Sequence, residues 1–140
     1  MSFFFDASLI LPTIVREPAT PVVDEFIDSI GETPQVSEFT AAEVASALSR
    51  LVRMGQLAED DALGRLADFD AWCGSVATLV EVESSDVRLA GIIVRRFDLK
   101  LRTPDALHVA CCRRLGATLA TLDRRLAAAA RDLGVAVALL

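Results

Sequence analysis

Asp6, Glu43, Asp105 and Asp123 stand where this 140-residue chain leaves a strand or starts a helix. Each has a local context that places it at the same end of an open α/β sheet. Ligands of such sheets bind outside the carboxyl ends of the strands. Carboxylates gathered there repel one another unless a cation holds them together, and an oxygen-only cluster suits Mg²⁺ or Mn²⁺. The chemistry that follows is metal-dependent hydrolysis of a phosphodiester.

Each acid also has a plainer reading. Asp6 ends the apolar run Phe3–Phe5, where a turn Asp bonds its own backbone. Ser8 beside it either supports that carboxylate or caps a helix. Glu43 closes Thr40-Ala41-Ala42-Glu43, which has the spacing of a capping box. Asp105 lies in a helix first turn, where the helix dipole favours a carboxylate. Asp123 is placed to cap a helix, and Thr121 to hydrogen-bond a carboxylate or a metal water. No other acid has comparable placement. Glu59-Asp60-Asp61 and Glu81, Glu83 and Asp86 come in runs, as solvated faces do. His108, the single histidine, follows Asp105 by three residues and can neighbour it on a helix. A structural role for it outweighs that of a general base. A Gly-x-Ser-x-Gly nucleophile elbow and a Gly-rich phosphate loop are both absent.

Alternating elements must position these residues. Phe3–Phe5 reads as a strand, followed by a helix from Ser8 to about Arg16 with Pro12 near its first turn. Val22–Ile30 has helical spacing and stops at Gly31. Gln35–Phe39 reads as a strand and Thr40 as the start of a helix that ends at Gly55. Another helix covers Glu59–Cys73 with Leu63, Leu66 and Phe69 inward. Val76–Val82 alternates as a strand, and a helix follows over Val87–Phe97. Thr103-Pro104-Asp105 opens a helix that Gly116 closes. Ala117–Leu122 is a strand, Arg124–Leu133 a helix, and Val135–Leu139 a last strand. This order predicts one α/β domain over residues 1–140, with a mostly parallel sheet of four to five strands covered on both faces.

Composition narrows the class. The chain is 53% hydrophobic, with no apolar stretch near the roughly 20 residues that a membrane span needs. Its three cysteines, Cys73, Cys111 and Cys112, form neither a disulfide framework nor a zinc motif. With no basic leader at the N-terminus, the expected location is the cytoplasm. A net charge of −6 excludes a generally basic nucleic-acid binder. It leaves room for a local arginine patch, for which Arg16, Arg50, Arg102, Arg124 and Arg125 are the candidates.

Together, Phe5-Asp6-Ala7-Ser8, Thr40-Ala41-Ala42-Glu43-Val44, Thr103-Pro104-Asp105-Ala106-Leu107-His108 and Leu119-Ala120-Thr121-Leu122-Asp123-Arg124-Arg125-Leu126 resemble the four acidic motifs of PIN domains, with bacterial VapC-type toxins the best match. The resemblance spans essentially the whole chain. It implies a three-layer α/β/α fold and a Mg²⁺- or Mn²⁺-dependent endoribonuclease that cuts single-stranded or looped RNA. It also implies a homodimer, and a VapB-type antitoxin whose C-terminal segment blocks the site. The family's acids carry over to Asp6, Glu43, Asp105 and Asp123, with Glu43 acting through water, and its hydroxyl to Thr121. Positions 126 and 127 are Leu and Ala, so no further acid is assigned. The alternatives are a non-catalytic PIN-like binding module and a phosphoacceptor receiver. The latter wants an acid pair beside the first strand, where this chain has Phe5 and Ala7 around a single Asp.

Overall fold

Side-chain alternation along the strands sorts the core into two halves. In the computed structural model, which describes residues 1–140, strands β1 (Phe3–Phe5) and β4 (Thr118–Thr121) point Phe4 and Leu119 to one face of the sheet. Phe5 and Ala120 point to the other, as the two-residue period of a strand requires. The first face is covered by α5 (Ser84–Ile93), α6 (Thr103–Leu115) and α7 (Arg124–Asp132). The second is covered mainly by α1 (Ala7–Ile14), α2 (Thr20–Ser29), α3 (Glu38–Arg53) and α4 (Glu59–Ser75). The result is a three-layer α/β/α sandwich.

With β2 (Gln35–Ser37), β3 (Thr78–Val80) and β5 (Val137–Leu139), the sheet has five strands in the order β3-β2-β1-β4-β5, all parallel. The chain builds outward from β1 to β3, then crosses back to lay β4 on the other side of β1. Register pairs Phe5 with Ala120, so Asp6 and Thr121 leave the sheet side by side. This reversal of strand order is the switch point at which such sheets open a crevice.

Several local expectations shift. Asp6, rather than Ser8, caps α1 by accepting the Leu9 N–H, so Ser8 lies inside the helix and Pro12 beyond its first turn. Ser37 caps α3, accepting the Thr40 N–H at 2.9 Å. The expected capping box at Thr40 therefore does not form, because the helix starts two residues earlier and Glu43 lies in its second turn. Leu63 is exposed rather than inward; Phe69 is buried as expected, Leu66 is half-buried, and Ala62 takes the place of Leu63. No helix is long and apolar enough to cross a membrane.

Candidate active site at the switch point

Asp6 is the floor of the crevice, only 4% exposed. Its Oδ1 accepts from the Ser8 hydroxyl at 2.7 Å and the Leu9 N–H at 3.2 Å. Its Oδ2 accepts from the Thr121 hydroxyl at 2.8 Å. The two hydroxyls stand 3.1 Å apart and are themselves held from behind. Leu122 N–H donates to Ser8 Oγ and Asp123 N–H to Thr121 Oγ1. Residues more than a hundred positions apart are thus locked into one polar cluster. No arginine or lysine pairs with the Asp6 carboxylate. Burial pushes its pKa up, and the Ser8 hydroxyl, the charge of His108, the Thr121 hydroxyl and the Leu9 N–H hold it down only in part.

The other three acids lie in or at the head of three helices. Asp123 is exposed at the head of α7, where Oδ1 accepts the Arg125 and Leu126 N–H groups at 2.9 and 3.1 Å. It is tied to Asp6 through Thr121. Asp105 lies in the first turn of α6 and accepts the Arg102 N–H at 3.3 Å. Glu43 projects from α3 towards α6, with Oε1 2.7 Å from His108 Nε2. That approach is an ion-pair distance without the alignment of a hydrogen bond. Glu43 Oε1 and His108 Nδ1 are both buried without a well-placed partner. The His108 ring sits between Phe4 and Phe39, about 6 Å from each centroid. Sequence proximity linked His108 to Asp105; the fold gives it Glu43 across the helix interface.

As the side chains stand, no three Asp, Glu, His or Cys groups are close enough to hold one ion. Asp105 and Asp123 are engaged with backbone N–H groups and Glu43 with His108. Arg102 immediately precedes α6, and Arg124 and Arg125 open α7. Arg16 follows the far end of α1 from Asp6, and Arg50 lies in the last turn of α3. These two are removed from the acids by the length of their helices.

A second acidic centre was not legible as one in the sequence. Asp86, grouped there with a solvated run, is only 2% exposed. Arg114 of α6 donates to both its oxygens, Nε to Oδ1 at 3.0 Å and Nη2 to Oδ2 at 2.8 Å. The Glu83 N–H donates to it at 2.9 Å. Burial pushes this carboxyl up, but the Arg114 hydrogen bonds, the Glu83 N–H and the arginine charge outweigh it and leave the pKa below the ordinary value. Cys111 also contacts Asp86, and burial with that neighbouring charge pushes its thiol up to about 12. The only available signal was the helical period that puts Asp86 in line with apolar Ala90 and Ile93.

Residues 3–132 match the model of the PIN domain. The chain belongs to the PIN domain family. This PIN domain is 31% identical to Ribonuclease VapC46 of Mycobacterium tuberculosis, over 97% of the chain and 95% of the relative. Its fold matches that of VapC20 from the same species, described as a toxin that cleaves the sarcin–ricin loop. The TM-score is 0.75 at 18% identity, over 91% of this chain and 95% of that one. It also matches VapBC2 of Rickettsia felis bound to a promoter DNA fragment, with TM-score 0.72 at 13% identity, over 100% and 99% of the two chains.

Proposed function

We propose that this PIN domain is a divalent-metal-dependent endoribonuclease toxin that cuts single-stranded or looped RNA and is neutralised by a cognate antitoxin. The observation that carries the reading is Asp6: a buried carboxylate at the switch point, fixed by two hydroxyls and paired with no arginine or lysine. The 31% identity to a ribonuclease over nearly the full chain gives the reaction class.

The donor set fits Mg²⁺ or Mn²⁺. It is oxygen-only, it centres on a carboxylate whose ionised form burial disfavours, and it includes a buried Glu43 oxygen without an aligned donor. Asp6, Asp105 and Asp123 are the direct ligands in this reading, with Glu43 acting through water. When bound, such a cation supplies Lewis acidity and a nucleophile from water near neutral pH. Ser8 and Thr121 hold the Asp6 oxygens in one orientation. Asp105 and Asp123 would give up their bonds to backbone N–H groups to hold the ion, and His108 of α6 holds the Glu43 carboxylate that projects from α3. Arg102, Arg124 and Arg125 border these acids and meet phosphates of the substrate strand. Looped RNA presents its backbone to a recessed site more readily than a duplex does.

An antitoxin has a matching surface. A groove of about 620 Å³ opens between α1, α2 and α4, floored by Phe5, Phe69 and Trp72 and rimmed by Asp24, Asp28 and Asp68. It suits a segment carrying apolar and basic side chains. A homodimer and a cytoplasmic location belong to the same reading. The test is incubation of the purified protein with single-stranded RNA and Mn²⁺, beside an EDTA control and Asp6→Asn. Cleavage confined to the wild type with metal is expected. Its absence under all divalent cations would leave a non-catalytic binding module.

A further inference from the structure

The connection between α5 and α6 carries features that neither the core nor the acidic site uses. Phe97 opens a 3₁₀ turn, Phe97–Leu99, and is 84% exposed, more than any other large apolar side chain in the protein. The turn that carries the ring is anchored: Leu99 is buried in the core, and Arg96 donates two hydrogen bonds of 3.0 and 2.7 Å to Asp98 across Phe97 in the sequence. Lys100 follows, the single lysine and the single non-glycine residue with positive φ, at 55°. Lysine is strained in that left-handed region, and such strain concentrates at functional positions. From Arg95 to Arg102, four basic residues accompany one acid in a chain of net charge −6. Arg95, Lys100 and Arg102 form no ion pair. The segment runs directly into α6, where the Arg102 N–H already bonds Asp105.

We propose that Phe97 is a stacking platform for a base of single-stranded RNA beside the acidic site, with Lys100 and Arg102 on the adjoining phosphates. The proposal rests on the ribonuclease reading and assigns part of its substrate grip. An exposed ring presents a face on which any unpaired base stacks, and cations around it track the backbone. A surface for another protein would have a core poor in charge, whereas this ring stands in a segment carrying four exposed basic residues. The anchored turn fixes the backbone that carries the ring, which reduces the ordering that binding requires.

The test uses the full chain carrying Asp6→Asn, to hold RNA uncut, and a fluorescein-labelled oligoadenylate. Adding Phe97→Ala weakens binding by about tenfold. Phe97→Leu weakens it equally, because an apolar side chain without a ring face cannot stack. Phe97→Trp restores binding, and its indole emission is quenched by the RNA. Lys100→Ala and Arg102→Ala each flatten the dependence of log affinity on log salt by about 0.7. The mass in solution, measured by light scattering, is the same in every variant. Unchanged affinity in Phe97→Ala overturns the platform, and a change of mass at unchanged affinity reassigns the ring to a protein contact. If the wild type still cuts RNA, only the platform falls. If it neither binds nor cuts RNA, the ribonuclease reading falls as well.

Discussion

Asp6 and Asp86 are buried to nearly the same depth, 4% and 2% exposed, and both receive a backbone N–H at a helix start. Their remaining partners differ in kind. Asp86 has a guanidinium on both oxygens, whereas Asp6 has two neutral hydroxyls. Their pKa values accordingly move in opposite directions, down for Asp86 and up for Asp6. Burying a charge is costly unless it is paired. At Asp86 the protein supplies the pair from its own chain and gains a fixed α5–α6 joint. At Asp6, at the one place where the strand order reverses, it supplies two hydroxyls and no arginine or lysine.

The comparison breaks most visibly at Asp6. Asp6→Asn should abolish metal-dependent RNA cleavage and raise the melting temperature of the metal-free protein, since an amide keeps the shape and sheds the unpaired charge. A variant that cuts RNA at the wild-type rate would dismiss Asp6 as the functional carboxylate. Asp86→Ala should do the reverse, lowering stability by about 1–2 kcal/mol as the Arg114 and Glu83 N–H hydrogen bonds to the carboxylate are lost, while Arg114 keeps Glu83 and the Glu81 carbonyl. Urea unfolding measures it, and a midpoint equal to wild type would mean the clamp contributes nothing.

Thr121→Val tests whether the hydroxyls matter to the chemistry. Loss of the Asp6 Oδ2 donor should cut the cleavage rate by about tenfold, read in single-turnover assays, with unfolding little changed. A rate that stays intact would restrict Thr121 to the fold.

Arg114→Met converts the second centre into a copy of the first. In the wild type the Asp86 carboxyl is held below its ordinary value of 3.8. Its contribution is complete above that pH and disappears as pH falls through the folded value. Without Arg114 burial dominates, the folded pKa rises above the unfolded one, and stability falls as pH rises through that window. Acid-unfolding curves of the two proteins should therefore slope differently, and parallel curves would refute the role given to Arg114. The smallest effect is local. Ser37→Ala removes the cap of α3 and should cost about 1 kcal/mol; a thermal melt matching wild type would return the cap to Thr40.

Much of this architecture was legible because its causes are local. Apolar runs of strand length, helical spacing and Thr103-Pro104-Asp105 marked the elements, and the acids at their ends stood out. Near-misses arose where two local signals competed. Ser37 and Thr40 are both good caps, and packing of Phe39 and Val44 on opposite faces of the sheet selected the earlier start. Leu63 fitted the apolar period of α4, but only part of that helix reaches the sheet. Asp86 was misread because a run of acids looks solvated until a partner 28 residues away is in view. Phe97 was absorbed into an extended α5, since no pattern announces an exposed ring.

The sequence by itself determined roughly where each helix and strand lies, that strands alternate with helices, and that Asp6, Asp105 and Asp123 stand at their junctions. Backbone preferences and side-chain periodicity act within a few residues, so one chain segment suffices to express them. Tertiary structure alone decided which acid is buried among neutral hydroxyls, which one meets an arginine, and that Glu43 faces His108. Strand order and helix packing set those outcomes, and they depend on free energies shared among segments up to 115 residues apart.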